Sequence, residues 1–200
     1  MGYLLFRSKM LENIKKYHII LGSQSPRRKE LLAGLNIDFE IKTIDTPENY
    51  PDTIVGVDIP MYLAQQKAAA FSLNENDLLI TADTIVWFNG VVFGKPKDKT
   101  EAKLMLKTLS GQTHQVITGV CITTSTHQKT FHVISDVHFS KFSDSEIDYY
   151  LENYKPYDKA GSYGVQEWIG YIGVESIEGS YFNVMGLPIQ RLYTELKRWK

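Results

Sequence analysis

The stretch Gly22-Ser23-Gln24-Ser25-Pro26-Arg27-Arg28-Lys29-Glu30-Leu31-Leu32 gathers side chains suited to hold an anion. Ser25 followed by Pro26 supplies a helix N-cap and a first helical residue whose φ is already set. The free N–H groups of that first turn, with the helix dipole behind them, favour negative charge above residues 22–25. Arg27 and Arg28 add permanent charge and forked donors that match phosphate oxygens. Ser23 and Ser25 add hydroxyls, and because neither lies in a Gly-x-Ser-x-Gly elbow they read as caps and phosphate hydrogen-bond partners rather than nucleophiles. Taken alone, the segment fits equally well a helix whose basic first turn faces solvent or an acidic neighbour.

The elements that must position this segment follow from the apolar pattern. His18-Ile19-Ile20-Leu21 is short and apolar, as a buried strand leading into residues 22–25 would be. Gly34 is expected to close the helix as its C′ residue, and residues 38–43 to form a second strand. Residues 46–57, rich in Pro, Asp and Asn, read as a loop, after which Asp58 caps a helix running to Phe71. A strand is expected over 78–81. Asp83 then ends the apolar run, which would mount its carboxylate at a strand terminus; by residue type alone, an Asx turn cap is the favoured reading. Residues 85–88 and 91–93 flank Asn89-Gly90, the signal for a type I′ hairpin. Asp98 with Glu101 opens a helix ending near Ser110-Gly111, residues 115–124 and 129–140 form an antiparallel pair, Ser143 with Glu146 opens a helix over 147–153, and residues 187–199 form the last one. The order is mixed α/β, with hairpins that a purely parallel doubly wound sheet would not contain. Gly161, Gly164, Gly170, Gly173, Gly179 and Gly186 permit tight turns and close backbone approach to a ligand, although irregular structural turns explain them equally.

Composition excludes several classes. The 200 residues are 43% hydrophobic and carry a formal charge of −1, which argues against bulk affinity for nucleic acid or membrane. The single cysteine, Cys121, makes no internal disulfide and reads as a small buried strand residue in a reducing compartment. No apolar run reaches membrane-spanning length, Arg7 and Lys9 interrupt the only candidate leader, and Phe6 stands where myristoylation needs Ser or Thr; a cytoplasmic location is expected. His18, His114, His127, His132 and His138 lack zinc-ligand spacing, and no Walker motif is present. Without a repeat or a low-complexity linker, one domain is expected.

Ser-x-Ser-Pro-Arg-Arg-x-Glu-Leu-Leu after a short strand resembles the opening motif of the Maf family of nucleoside triphosphate pyrophosphatases. Four further blocks agree in order: residues 60–68 (Pro-Met-Tyr-Leu-Ala-Gln-Gln-Lys-Ala), Ala82-Asp83-Thr84-Ile85-Val86, Gly94-Lys95-Pro96, and residues 158–188, including Lys159-Ala160-Gly161-Ser162-Tyr163-Gly164-Val165-Gln166. Together they span nearly everything from Ile19 to the C-terminus. The resemblance implies an α/β fold with an elongated mixed β-sheet, helices on both sides and a cleft between two lobes. It makes residues 1–17 an N-terminal extension, helical or ragged, ahead of a single pyrophosphatase domain over 18–200. It also implies a divalent cation, Mg²⁺ or Mn²⁺, a nucleoside triphosphate as partner rather than nucleic acid or membrane, and a homodimer.

Residue by residue, the resemblance makes Asp83 the general base and, with Glu48, a metal ligand. Glu48 sits in a loop where a lone glutamate is ordinarily a solvated charge, and Asp45 and Asp52 stand nearby as substitutes. Arg27, Arg28, Lys67 and Lys95 are the cations at motif positions, with Lys95 on the constrained turn between Gly94 and Pro96 and Lys67 on a helix where a lysine ordinarily faces solvent. Thr84 contributes a hydroxyl, and Arg27, Thr84 and Gln166 are the specificity positions, the Gln166 carboxamide reading a base edge if Tyr163 or Glu167 locks it. The motif around Gln166 resembles the branch acting on dTTP and UTP, whereas a sibling branch acts on 7-methylguanosine triphosphate. Glu167-Trp168-Ile169 departs from the small residues common after this glutamine. The reading outside catalysis is a regulatory binding protein linked to septum formation.

Overall fold

The apolar run over 77–88 forms one unbroken strand, β3 (Asp77–Phe88), and the sheet is built around it. In this computed structural model, which describes residues 10–200, β1 (His18–Leu21) and β2 (Glu40–Ile41) lie in parallel on one side of β3. The long strands β5 (Thr113–Thr123) and β6 (Gln128–Phe139) follow in antiparallel order on the other side, and β7 (Val174–Glu178) closes that edge. The seven-stranded sheet has the order β2-β1-β3-β5-β6-β7, with β4 (Val91–Phe93) paired to the far end of β3. The mixed α/β architecture expected from the alternation of helices and hairpins is the one observed.

Two expectations change here. Residues 78–81 and 85–88 are not separate strands, because Leu79 to Trp87 pairs without interruption with β5 and leaves no room for a break at Asp83. Asp83 is therefore mid-strand, not terminal. The strand expected over 38–43 shrinks to Glu40–Ile41. Asn89-Gly90 does turn the hairpin, both residues having positive φ (49° and 81°) as a type I′ turn requires.

Helices cover both faces. Helix α1 (Pro26–Ala33) follows β1, and its C-cap Gly34 stays right-handed while Asn36 takes the left-handed conformation (φ 54°). Helix α2 (Asp58–Ala69) lies against β3 and β5, where Ala64, Leu79 and Cys121 are buried together and Ile59, Leu63, Ile85 and Ile117 form an adjoining cluster. Alternation along β3 sends Leu78, Ile80, Ala82 and Val86 to the opposite face and into the main core. That core also takes up Leu106 from α3 (Lys99–Leu109), Ile147 and Tyr150 from α4 (Asp144–Tyr154), and Leu192 and Leu196 from the C-terminal helix.

The segment after Tyr163 folds into elements the sequence pattern does not announce: α5 (Trp168–Gly173), then β7, then the single turn α6 (Tyr181–Val184), before α7 (Ile189–Lys197). Residues 1–9 of the expected extension lie outside the described residues. Of the rest, Leu11 and Ile14 are buried, Glu12–Ile14 forms one 3-10 turn, and Asn13 Nδ2 donates to Leu196 O (2.8 Å) and Trp199 O (2.6 Å), tying this segment to the end of α7.

Candidate functional site

The sheet opens where the neighbour of β3 changes. Strand β1 pairs with residues 77–80 of β3 and β4 with residues 86–88, so the edge of β3 around Asp83 and Thr84 has no strand beside it. One wall of the resulting notch is the carboxyl end of β1 running into α1, the other the turn around Gly94-Lys95. A topological change of this kind, outside the carboxyl end of a parallel strand, is where α/β sheets make room for ligands. A cleft of about 830 Å³ occupies it, lined by Ser23, Ser25, Arg27, Arg28, Glu48, Lys67, Asp83, Thr84 and Lys95 among others.

Helix α2 delivers Lys67 to the notch. Gly119, the β5 partner of Asp83, faces Pro60 at the start of α2, and a Cβ at this glycine would lie 2.3 Å from the Pro60 carbonyl carbon. Only a residue without a side chain admits that approach. Thr81 Oγ1 donates to Ala64 O (2.7 Å) and fixes the helix one turn on. Lys67 Nζ then lies 2.5 Å from Asp83 Oδ1 and 3.3 Å from Glu48 Oε1. Lys95 Nζ donates to both oxygens of Glu48, at 2.8 and 3.0 Å. Burial pushes the Glu48 carboxyl upward, but the Lys95 hydrogen bond and the charges of Lys67 and Lys95 outweigh it and hold the group below the usual carboxylate range. Asp83 itself is buried, 7% exposed. Both carboxylates thus face one ammonium, and the loop glutamate, although exposed, is paired with two lysines rather than standing alone in solvent.

The two arginines differ. Ser25 caps α1 by accepting from Arg28 N (3.4 Å), and Ser23 Oγ accepts from Ser25 N (3.3 Å). Arg28 turns back into the protein: Nε donates to Gly186 O (2.8 Å), one NH2 nitrogen to Thr84 Oγ1 (3.1 Å) and the other to Ser23 Oγ (3.4 Å). Burial lowers its pKa from the ordinary value, against the opposing charge of Asp83. Thr84 shares a 2.9 Å hydrogen bond with Thr118, which donates to Asn183 O (3.1 Å). Since the Thr118 proton goes to that carbonyl and Arg28 can only donate, the Thr84 hydroxyl receives from Arg28 and gives to Thr118. Arg27, by contrast, makes no hydrogen bond among the described residues and lines the cleft with its guanidinium available.

The family model described as Maf-like protein matches residues 18–199. The chain belongs to the Maf family. Relatives named dTTP/UTP pyrophosphatase include those of Phocaeicola vulgatus, 61% identical over 94% of this chain and 100% of the relative, and of Parabacteroides distasonis, 58% identical over 95% and 100%. The relative from Flavobacterium johnsoniae, with the same name, is 50% identical over 92% of this chain and 96% of its own length. Among solved structures, a HAM1 protein from Coxiella burnetii shares the fold at 14% identity, with a TM-score of 0.50 over 92% of this chain and 100% of that one.

Of the positions singled out in this Maf chain, the fold brings Ser23, Ser25, Arg27, Arg28, Glu48, Lys67, Asp83, Thr84 and Lys95 to one cleft. Gln166 is left out. It stands in the turn before α5 and does not line the cleft, whereas Tyr163, Gly164 and Val165 do. Nor is it locked as expected: the Tyr163 hydroxyl pairs with His114 Nε2 (2.8 Å), and Glu167 is taken by Tyr150 and Lys159. No role is assigned from the sequence to Asp158 and Lys159 on the cleft wall, or to Thr118, Asn183 and the Gly186 carbonyl behind it, although all but Thr118 lie in the block 158–188 that carries the resemblance.

Proposed function

We propose that this chain hydrolyses dTTP and UTP to the monophosphate and pyrophosphate, in keeping with the names of its relatives. The observation that carries this reading is the pair of carboxylates converging on one ammonium in the notch of β3, beside a helix N-terminus and an uncommitted arginine. A triphosphate laid across the notch meets Arg27, Lys95 and the first turn of α1, with Arg28 as a fixed charge behind them. Asp83 is the buried carboxylate at the centre and accepts the proton of the water that attacks the α-phosphorus; Lys67 orients it, and Thr84, which alternation along β3 turns to the other face, holds Arg28 at the same cleft. Bond formation to phosphorus expels pyrophosphate, whose charge stays with the cations.

The donor set suits a hard divalent ion. Glu48 Oε1 and Asp83 Oδ1 both lie within 3.3 Å of Lys67 Nζ, so two anionic oxygens address one point; the ammonium holds that point here and would yield it to an ion and turn to the phosphates, and Mg²⁺ is commonly held by one or two carboxylates plus substrate phosphates. Bound by Glu48 and Asp83, Mg²⁺ or Mn²⁺ would neutralise phosphate charge that builds up in the transition state. A panel of nucleoside triphosphates with pyrophosphate detection tests the reading. UTP and dTTP should release pyrophosphate in the presence of the metal and stop on chelation; UDP with orthophosphate would refute it.

A further inference from the structure

The cleft wall formed by residues 158–165 is tied down more thoroughly than a glycine-rich loop needs to be. The Glu167 carboxylate accepts from the Tyr150 hydroxyl through Oε2 and pairs with Lys159 Nζ through Oε1 at 3.1 Å. The Tyr150 oxygen in turn accepts from Gly164 N (3.0 Å), and Glu167 N donates to Gly164 O (3.0 Å). Lys159, only 11% exposed at its side chain, also holds Asp158 at 2.7 Å. Gly161 N donates to Gly94 O (3.1 Å), which fastens the same loop to the turn that carries Lys95. Steric fit agrees, since a Cβ on Gly164 would lie 2.7 Å from the Glu167 carboxyl carbon, so this carboxylate lies directly against the loop backbone. Tyr150, fully buried on α4 and stacked on Tyr154 at 5.2 Å, is an immobile anchor.

What this network holds in place is the less charged end of the cleft. Tyr163, Gly164, Val165, Val184, Met185 and Val86 line it, three residues beyond Asp83 along β3, which is roughly 10 Å at strand rise. A nucleobase attached to a triphosphate whose α-phosphorus lies at Asp83 would reach this wall. Resting on the pyrophosphatase reading above, we propose that Glu167 is a positioning residue for the nucleobase: it closes residues 158–167 into a ring and so fixes the wall against which a uracil or thymine lies, without touching it.

Full-length Glu167→Ala, Glu167→Gln and Tyr150→Phe test this against Asp98→Ala, which removes the cap of α3 (2.9 Å to Glu101 N) at a residue that does not line the cleft. The readouts are Tm, kcat and KM for UTP, and calorimetric affinity for UMP and CMP. Glu167→Ala should raise KM and weaken UMP binding about tenfold or more, with kcat changed less than about threefold, because the chemistry at Asp83 is left alone while the base loses a preorganised wall. The preference for UMP over CMP should narrow. Glu167→Gln, whose amide oxygen still accepts from Tyr150, should recover part of the loss, and Tyr150→Phe should shift the same quantities in the same direction. Asp98→Ala should lower Tm with KM unchanged. If Glu167→Ala merely lowered Tm, leaving KM and the UMP and CMP affinities as in the unaltered chain, the proposal would be overturned. Failure of the unaltered chain to release pyrophosphate from UTP would overturn the reaction class instead, and the wall is judged separately on UMP affinity.

Discussion

Gly119→Ala is a substitution of one methyl group, outside the cleft, that should damage both the sheet and the chemistry. The added Cβ would meet Pro60 C at 2.3 Å, Pro60 O at 2.4 Å and Met61 N at 2.5 Å, all backbone atoms that cannot rotate away. Ordinary contact begins near 3.4 Å, so the start of α2 must retreat by about 1 Å, and overpacking of this kind costs about 1–3 kcal/mol. In a chain of 200 residues that corresponds to a fall in Tm of about 2–12 °C. Lys67 is two helical turns beyond Pro60 on the same face, so the retreat lengthens its 2.5 Å contact with Asp83. A misplacement of about 1 Å in a catalytic constellation can cost about a hundredfold in rate. Thermal melts and continuous pyrophosphate detection read the two effects. Gly90→Ala is the control: its φ of 81° makes alanine strained by about 1–2 kcal/mol, but nothing lies within 4 Å of the added Cβ, so α2 has no cause to move. It should lose stability and keep its turnover. A Gly119→Ala protein with unchanged Tm and turnover would refute the argument that this glycine sets the position of α2 over Asp83.

Asp83→Asn keeps the volume and removes the charge; turnover should fall about 10²–10⁴-fold with a native circular dichroism spectrum, and near-normal turnover would reassign Asp83 to a structural role. Glu48→Gln should raise the half-saturating metal concentration about 10–100-fold while leaving turnover at saturating metal much less affected. His114, buried against Phe139 and Tyr163, is pushed down to about 4 from the ordinary 6.5 by burial. The unfolded chain therefore takes up a proton below about pH 6.5 that the folded chain refuses until about pH 4, so stability is lost as pH falls through that window, by at most about 3 kcal/mol. Urea midpoints for the unaltered chain and His114→Phe at pH 7 and pH 5 check this: the variant should lose less between the two, and equal losses would refute it.

Local signals carried much of the architecture. Asn89-Gly90 turns its hairpin, Ser143 and Glu146 form a reciprocal capping box at the start of α4, and Ser25 caps α1 ahead of Pro26, each because the residue types satisfy backbone groups a few positions away. The long apolar runs that became β5 and β6 were legible for the same reason. Long-range effects escaped. Asp83 looked terminal because polarity interrupts the run there, yet pairing with β5 carries the strand through it. Helix α5 escaped because it is six residues long and contains Gly170 and Gly173; Gly170 is required because a Cβ there would lie 2.0 Å from Val165 O. In the cleft, the motif positions met as a group except Gln166, which lies in the turn before α5 where the neighbouring Glu167 side chain is held by Tyr150. No local rule could have indicated that turn, since the partner lies on another helix.

Hydrolysis of UTP in ¹⁸O-water, with mass analysis of both products, tests the central claim most directly. Attack at the α-phosphorus by a water held at Asp83 places the label in UMP and leaves the pyrophosphate unlabelled. Label in the pyrophosphate, or release of UDP with labelled orthophosphate, would place the attacked phosphorus elsewhere and contradict the account.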